Sequence, residues 1–240
     1  MKVRVAYIEE PPFYWTGSDK VPTGADIELA DVILRAAGVS EIEHVPTTFA
    51  ELLPGVAAGR WEMNVPLFVS EDRAKVVAFS VPVWALGDGF VVVRGNPRAL
   101  TSYEALAAGE TAMLGIVAGT IQRDSALRAG VPVERIVTFP TQHDAVAALL
   151  SGGIDAYSAT ALGNRQIALA HPALEAVAHP SGARTPVGAF SFNKANHALV
   201  SVVNDQLRRY LGSDEHRARV AKYGFSSAEI DEIPGAHSAH

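Results

Sequence analysis

Short Val- and Ile-rich segments alternate with segments of helical period through most of this chain, and that alternation limits the fold more than any other feature. Strands are expected at Val3–Ile8, Ile42–Pro46, Met63–Leu67, Phe90–Val93, Met113–Val117, Arg135–Phe139, Ile154–Ser158 and Val187–Phe192. Between the first two, Asp26–Ala37 repeats apolar residues at Ile27, Ala30, Ile33, Leu34 and Ala37, one helix face, and Gly38 suits its C-terminal cap. Thr48–Glu51, Thr101–Glu104 and Thr141–Asp144 each place a hydroxyl three residues before an acid, a helix-start signature. Helices are also expected at Ala198–Leu211 and Glu215–Tyr223. Such alternation predicts α/β units with mainly parallel strands.

Two segments rich in Pro and Gly interrupt the pattern, Ser80–Gly89 and His179–Pro186. They divide the chain into an N-terminal, a middle and a C-terminal part, and the tail Gly235–His240 is expected to fray. With 240 residues, the chain has room for one large domain or two smaller ones. Hydrophobic residues at 48% and charged residues at 19% exclude a largely disordered chain. A net charge of -6 with scattered basic residues argues against nucleic acid as a partner. The absence of cysteine removes thiol chemistry, disulfides and Cys-type metal sites. His44, His143, His171 and His179 lack metal-ligand spacing, no Gly-x-Ser-x-Gly turn occurs, and no cofactor or metal is implied. No apolar run reaches a membrane span. The opening Met1–Ile8 alternates like a strand instead of reading as a signal peptide, so a native start at Met1 would leave the protein in the cytoplasm.

Three segments carry residues suited to a ligand. Glu9-Glu10-Pro11-Pro12-Phe13-Tyr14-Trp15 follows the first strand, where α/β sheets bind ligands, and its acids and rings suit a cation. Phe68-Val69-Ser70-Glu71-Asp72-Arg73 follows another strand. Ser70 can cap a short helix, and Arg73 can grip a carboxylate or form a surface ion pair with Glu71 or Asp72. Gly119-Thr120-Ile121-Gln122 is read as the opening of a helix whose free N–H groups accept an anion, or as a plain cap.

Taken in order, Glu10–Phe13, Gly24–Ala30, Phe49–Pro54, Gly59–Glu62, Ser70–Arg73, Phe79–Trp84, Gly119-Thr120, Gly152–Ala156 and Lys222–Phe225 make the chain resemble the bacterial family 3 solute-binding proteins, the amino-acid-binding type of ABC uptake systems. The resemblance implies a two-lobed type II periplasmic-binding-protein fold. Residues 1–88 with 188–240 would form one lobe and 89–187 the other, joined by two crossover strands as a hinge. It further implies a monomer that captures a small-molecule ligand between its lobes by closing, delivers it to a transporter permease, and works in the periplasm. Carried over one by one, Arg73 matches the carboxylate-holding arginine, and Gly119, Thr120 and Gln122 match the segment that shares that task. Phe49 matches an aromatic packing on the ligand. Phe68 stands where amino-acid binders often have a small hydroxyl residue, and neutral Thr160 where many have the acid that binds an α-ammonium. Glu10, Phe13, Phe49 and Phe68 together resemble the ectoine-binding branch, which implies a zwitterion such as ectoine or a betaine. The alternative is an enzyme of the cyclohexadienyl dehydratase type, with Glu10 as its acid.

Overall fold

The computed structural model describes residues 1–180 and 185–233. Ser181–Arg184 of the second joint and the tail Gly235–His240 lie outside the described residues. The chain forms two compact units, Met1–Ala85 with Thr185–His240, and Leu86–Arg184.

The first unit opens with β1 (Lys2–Tyr7), the short β2 (Trp15–Thr16) and β3 (Pro22–Thr23), α1 (Ala25–Ala36) and β4 (Glu41–Pro46). Next come α2 (Phe49–Ala57), β5 (Met63–Phe68), α3 (Glu71–Val76), β6 (Ala78–Phe79) and β7 (Trp84–Ala85). The second unit contains β8 (Asp88–Val93), α4 (Tyr103–Ala108), β9 (Leu114–Val117), α5 (Gln122–Arg128), β10 (Ile136–Phe139) and α6 (Gln142–Leu150). It ends with β11 (Ala156–Thr160), α7 (Ala161–Ala170) and β12 (Leu174–Ala178). The chain then returns to the first unit with β13 (Val187–Phe192), α8 (His197–Tyr210), α9 (Asp214–Ala221) and α10 (Ser227–Asp231).

Each expected strand exists, within about two residues at its ends. The expectation of mainly parallel sheets holds for part of each sheet. In the first unit β4, β1 and β5 run parallel, and β13 adds antiparallel to β5, β6 and β7. In the second, β10, β9 and β11 run parallel, and β8 adds antiparallel to β11 and β12. The parallel strands are those joined through helices. The antiparallel ones, β8 and β13, follow directly on the two joints, where no crossover helix sets their direction. β12 was not anticipated. It is a short edge strand, Leu-Glu-Ala-Val-Ala, with weak β composition.

The helix signals fare unevenly. α1 ends in a Schellman pair, with Gly38 N–H on the Arg35 carbonyl at 2.9 Å and Val39 N–H on that of Leu34 at 3.0 Å. Gly38 has φ +82°, so the glycine is used as a left-handed C-terminal residue. Thr141 accepts the Asp144 N–H as expected. Thr48 sits at an N-cap without a side-chain bond, and the cap of α4 is Ser102, which accepts from Ala105, instead of Thr101. Either hydroxyl fits a helix start, and only the backbone turn decides between neighbours.

One buried polar residue ties the strand that leads to the site into the first unit. Asn64 on β5 is fully buried. Its amide donates to the Leu52 carbonyl and to Ser191 Oγ, both at 2.9 Å, and its oxygen accepts the Trp61 indole N–H at 2.5 Å. One side chain thus links β5, α2 and β13. Replacing Asn64 with alanine strands those partners in the core, which costs about 2–4 kcal/mol. The expected outcome for Asn64→Ala is a melting temperature lower by roughly 5–10 °C, read by calorimetry.

Candidate functional site

In the first unit, β5 ends at Phe68 and α3 begins three residues later, at Glu71. Ser70 caps that helix by accepting the Arg73 N–H at 3.3 Å, which fixes the Arg73 backbone one turn from the strand end. Arg73 is buried, and its Nη1 donates to the Phe68 carbonyl at 2.7 Å. Its guanidinium lies 5.5 Å from the centroid of Phe49, the first residue of α2. The competing reading of Arg73, an exposed pair with Glu71 or Asp72, does not hold for Asp72, which pairs with Lys75 at 2.6 Å.

The segment after β1 supplies the acid. Glu10 N–H donates to the Tyr14 carbonyl at 2.8 Å, and the Glu10 carbonyl accepts from Phe13 and Tyr14, which folds the turn. Tyr14 Oη donates to Glu10 Oε2 at 3.1 Å. Burial pushes the Glu10 carboxyl up to about 7 from an ordinary value of 4.5, against the pull of that hydrogen bond. Not every residue of the segment joins in. Glu9 is taken up by the Thr16 N–H and hydroxyl, and Trp15 stacks edge-on against Tyr223.

The same unit holds a run of packed rings. Phe13 lies 6.0 Å from Trp84, and Phe68 meets Trp84 edge-on at 5.2 Å. Glycine makes this possible. Gly188 is the register partner of both Phe68 on β5 and Trp84 on β7, and a Cβ there would come within 2.1 Å of the Trp84 ring. The missing side chain is the space through which the indole reaches Phe68. Trp84 Nε1 donates to Asp26 Oδ2 at 3.3 Å, and burial, opposed by this bond, raises the Asp26 carboxyl well above the carboxylate range. Trp84 and Asp26 were not anticipated as site residues. Their sequence signals, an aromatic in a Pro-rich joint and an acid in a helix's first turn, are ordinary.

In the second unit the expected helix opening is displaced. Thr120 does not cap α5. Its N–H and hydroxyl both turn back to the Val117 carbonyl, at 3.3 and 2.8 Å, and the helix is preceded by Ile121 with no side-chain cap. Gly119, with φ +85°, makes that tight turn possible. Gln122 is buried, and its Nε2 donates to Asp88 Oδ1 at 2.8 Å. Thr160 ends β11 and caps α7 by accepting the Gly163 N–H at 3.1 Å, so it sits on the strand end instead of a few residues beyond it. Opposite it in the sheet is Asp88. Among the described residues no group of three His, Asp or Glu is placed to hold a metal ion.

The first unit thus brings Glu10, Phe13, Phe49, Phe68 and Arg73 onto neighbouring elements, and the second brings Gln122 and Thr160 beside Asp88. A basic group, a carboxyl of raised pKa and a ring wall suit a small molecule carrying both charges. The description "Bacterial extracellular solute-binding proteins, family 3" matches residues 3–226. The chain belongs to this family. A probable amino-acid ABC transporter periplasmic-binding protein, y4tE of Sinorhizobium fredii (strain NBRC 101917 / NGR234), is 31% identical over 97% of this chain and 80% of its own length. Among solved structures, EhuB in complex with hydroxyectoine is 30% identical with a TM-score of 0.87, over 95% of this chain and 90% of that one. The ancestral amino acid-binding protein AncCDT-1, a precursor of cyclohexadienyl dehydratase, superposes with a TM-score of 0.80 at 24% identity, over 92% of this chain and 95% of that one. The α/β architecture is that of the type II periplasmic binding proteins.

The raised carboxyl of Glu10 has a consequence for stability. Its folded value of about 7 lies above its ordinary 4.5, so between these values the folded protein holds a proton that the unfolded chain releases. Its contribution is full below about pH 4.5 and is lost as pH rises through 7. Thermal melts of the ligand-free protein from pH 4.5 to 8 are expected to show this loss, on the order of 1–3 kcal/mol. In Glu10→Gln this part of the pH dependence is expected to vanish.

Proposed function

We propose that this family 3 solute-binding protein captures a small zwitterion, of the ectoine or betaine kind, and hands it to an ABC transporter. The observation that carries the reading is the division of charge in the first unit. Arg73 is buried near a strand end against the Phe49 ring, and the same unit carries a buried carboxyl, Glu10, and the packed rings of Phe13, Trp84 and Phe68. Burial dominates the environment of Glu10, and among the described residues the Tyr14 hydroxyl opposes it. A carboxyl so placed becomes charged at low cost once a cation lies beside it. Phenyl and indole faces favour a cation whose charge is spread and weakly hydrated. The guanidinium fork fits the solute's carboxylate.

Thr160 supports the same choice, because a neutral residue there does not favour an ordinary α-ammonium. The relative EhuB, crystallised with hydroxyectoine, agrees in ligand class. The second unit carries binding candidates of its own, Gly119, Thr120 and Gln122. We read the protein as a monomeric binder without catalytic activity that acts outside the cytoplasmic membrane. A dehydratase reading rests on Glu10, whose value of about 7 would let it serve as an acid at neutral pH. Turnover of prephenate or arogenate would establish that reading in place of ours.

Calorimetric titration with hydroxyectoine, glycine betaine and arginine tests the proposal. The wild-type protein is expected to bind the first or second more tightly than arginine. Arg73→Ala is expected to weaken that binding by roughly 2–5 kcal/mol, as for a buried charge pair that loses one partner. An Arg73→Ala affinity within a factor of about two of wild type would remove Arg73 from the site.

A further inference from the structure

Gly24 precedes α1 with φ +127°, and a Cβ there would lie 2.3 Å from the Phe13 carbonyl oxygen. Without that atom the first turn of α1 can press onto the turn that follows β1. Ala25 N–H donates to the Pro12 carbonyl at 3.1 Å, and Asp26 N–H donates to that of Phe13 at 2.9 Å. The Asp26 carboxyl in turn accepts the Trp84 indole N–H at 3.3 Å. One residue therefore holds Phe13 through its backbone and Trp84 through its side chain. The two rings lie 6.0 Å apart, and Trp84 meets Phe68 at 5.2 Å. An acid in a first helical turn ordinarily faces water and serves the helix dipole. Asp26 is instead 2% exposed and trades hydration for the indole.

We propose that Asp26 is a positioning residue of the first unit, which fixes Trp84 against Phe13 and Phe68 so that these rings meet the solute in one set arrangement. This rests on the zwitterion reading above and deepens it, since attraction between a cation and a ring depends on where the ring face lies. Burial raises the Asp26 carboxyl, the indole bond opposes this, and the Glu10 carboxyl raises it further. The group is thus drawn toward its uncharged form, whose carbonyl oxygen still accepts the indole N–H. Asparagine is the nearest uncharged stand-in for that form. Gly24, Gly188 and Asp26 act on the same ring cluster: the two glycines give the close approach, and the carboxyl fixes the indole.

The test compares wild type with Asp26→Leu, Asp26→Asn and Trp84→Phe, each titrated calorimetrically with hydroxyectoine, glycine betaine and arginine. Leucine keeps the size of the buried side chain and strands the indole N–H, whereas asparagine keeps an oxygen that accepts it. Asp26→Leu is expected to lose about tenfold in affinity for whichever solute the wild type binds, and Asp26→Asn to stay within about threefold of wild type. A residue that served stability alone would change the melting temperature and leave the affinity of the folded protein as it was. An Asp26→Leu affinity within about twofold of wild type would therefore overturn the inference. Asp26→Asn as weak as Asp26→Leu would also overturn it, because the effect would then belong to the charge and not to the indole bond. If Asp26→Leu does not fold, Trp84→Phe decides: a loss of about tenfold is expected, and an affinity within about twofold of wild type would overturn the inference. NMR gives a second readout without solute. The Trp84 indole resonance, one of three, is identified by its absence from Trp84→Phe. This resonance and those of the Phe13 and Phe68 rings are expected to move in Asp26→Leu and to return toward wild-type positions in Asp26→Asn. Resonances that stay in place in Asp26→Leu would overturn the inference. Wild type that binds none of the three solutes would overturn the proposed function, and the ring resonances alone would then decide whether Asp26 places the rings.

Discussion

Burying a guanidinium is costly, and the first unit is organised around doing so. Dehydrating such a group costs several kcal/mol unless hydrogen bonds and nearby charge offset it. Here the offset begins with backbone. Ser70 stops the strand-to-helix turn, Arg73 follows within the first helical turn, and its side chain returns to the carbonyl that ends β5. The Phe49 ring adds a face of negative quadrupole. β5 is in turn tied to α2 and β13 by Asn64, so the carbonyl that receives the guanidinium belongs to an anchored strand.

The two buried acids of this unit extend the argument. Burial raises both Glu10 and Asp26, and the groups that oppose it are the Tyr14 hydroxyl and the Trp84 indole, not the guanidinium. The rings of Phe13, Trp84 and Phe68 pack in the same unit and give both acids apolar neighbours.

How much of this was legible in the sequence depends on the range of the interaction. Ser70 and Arg73 lie within one helical turn, so their local relation could be read directly, and the structure reproduces it. The strands were legible because burial imposes Val and Ile on them over several residues. The antiparallel additions and β12 were not, since direction in a sheet is set by partners distant in the chain. Trp84 with Asp26, and Gln122 with Asp88, join residues 58 and 34 positions apart. No periodicity records such pairs. Thr120 failed for a different reason. A hydroxyl before a helix can cap forward or bond backward, and Gly119 in the left-handed region selects the backward turn.

Gly188 connects these threads. It lies on β13, the strand by which the chain re-enters the first unit, and Trp84 lies on β7, the strand by which it leaves. The indole fills the place of the absent side chain, touches the rings of Phe13 and Phe68, and reaches Asp26 with its N–H. The aromatic wall and the strands at the joints are therefore one packed assembly. A side chain at 188 would have to displace the ring by more than a bond length, because 2.1 Å is far inside contact distance. Cores respond to such insertions by shifting whole elements, not single atoms. The ring wall thus cannot be reshaped for another solute without disturbing the strands that carry the chain between its two units. Selectivity is more easily altered at a polar position of the same unit such as Glu10, whose side-chain partner among the described residues is the hydroxyl of Tyr14, while the ring packing stays as it is.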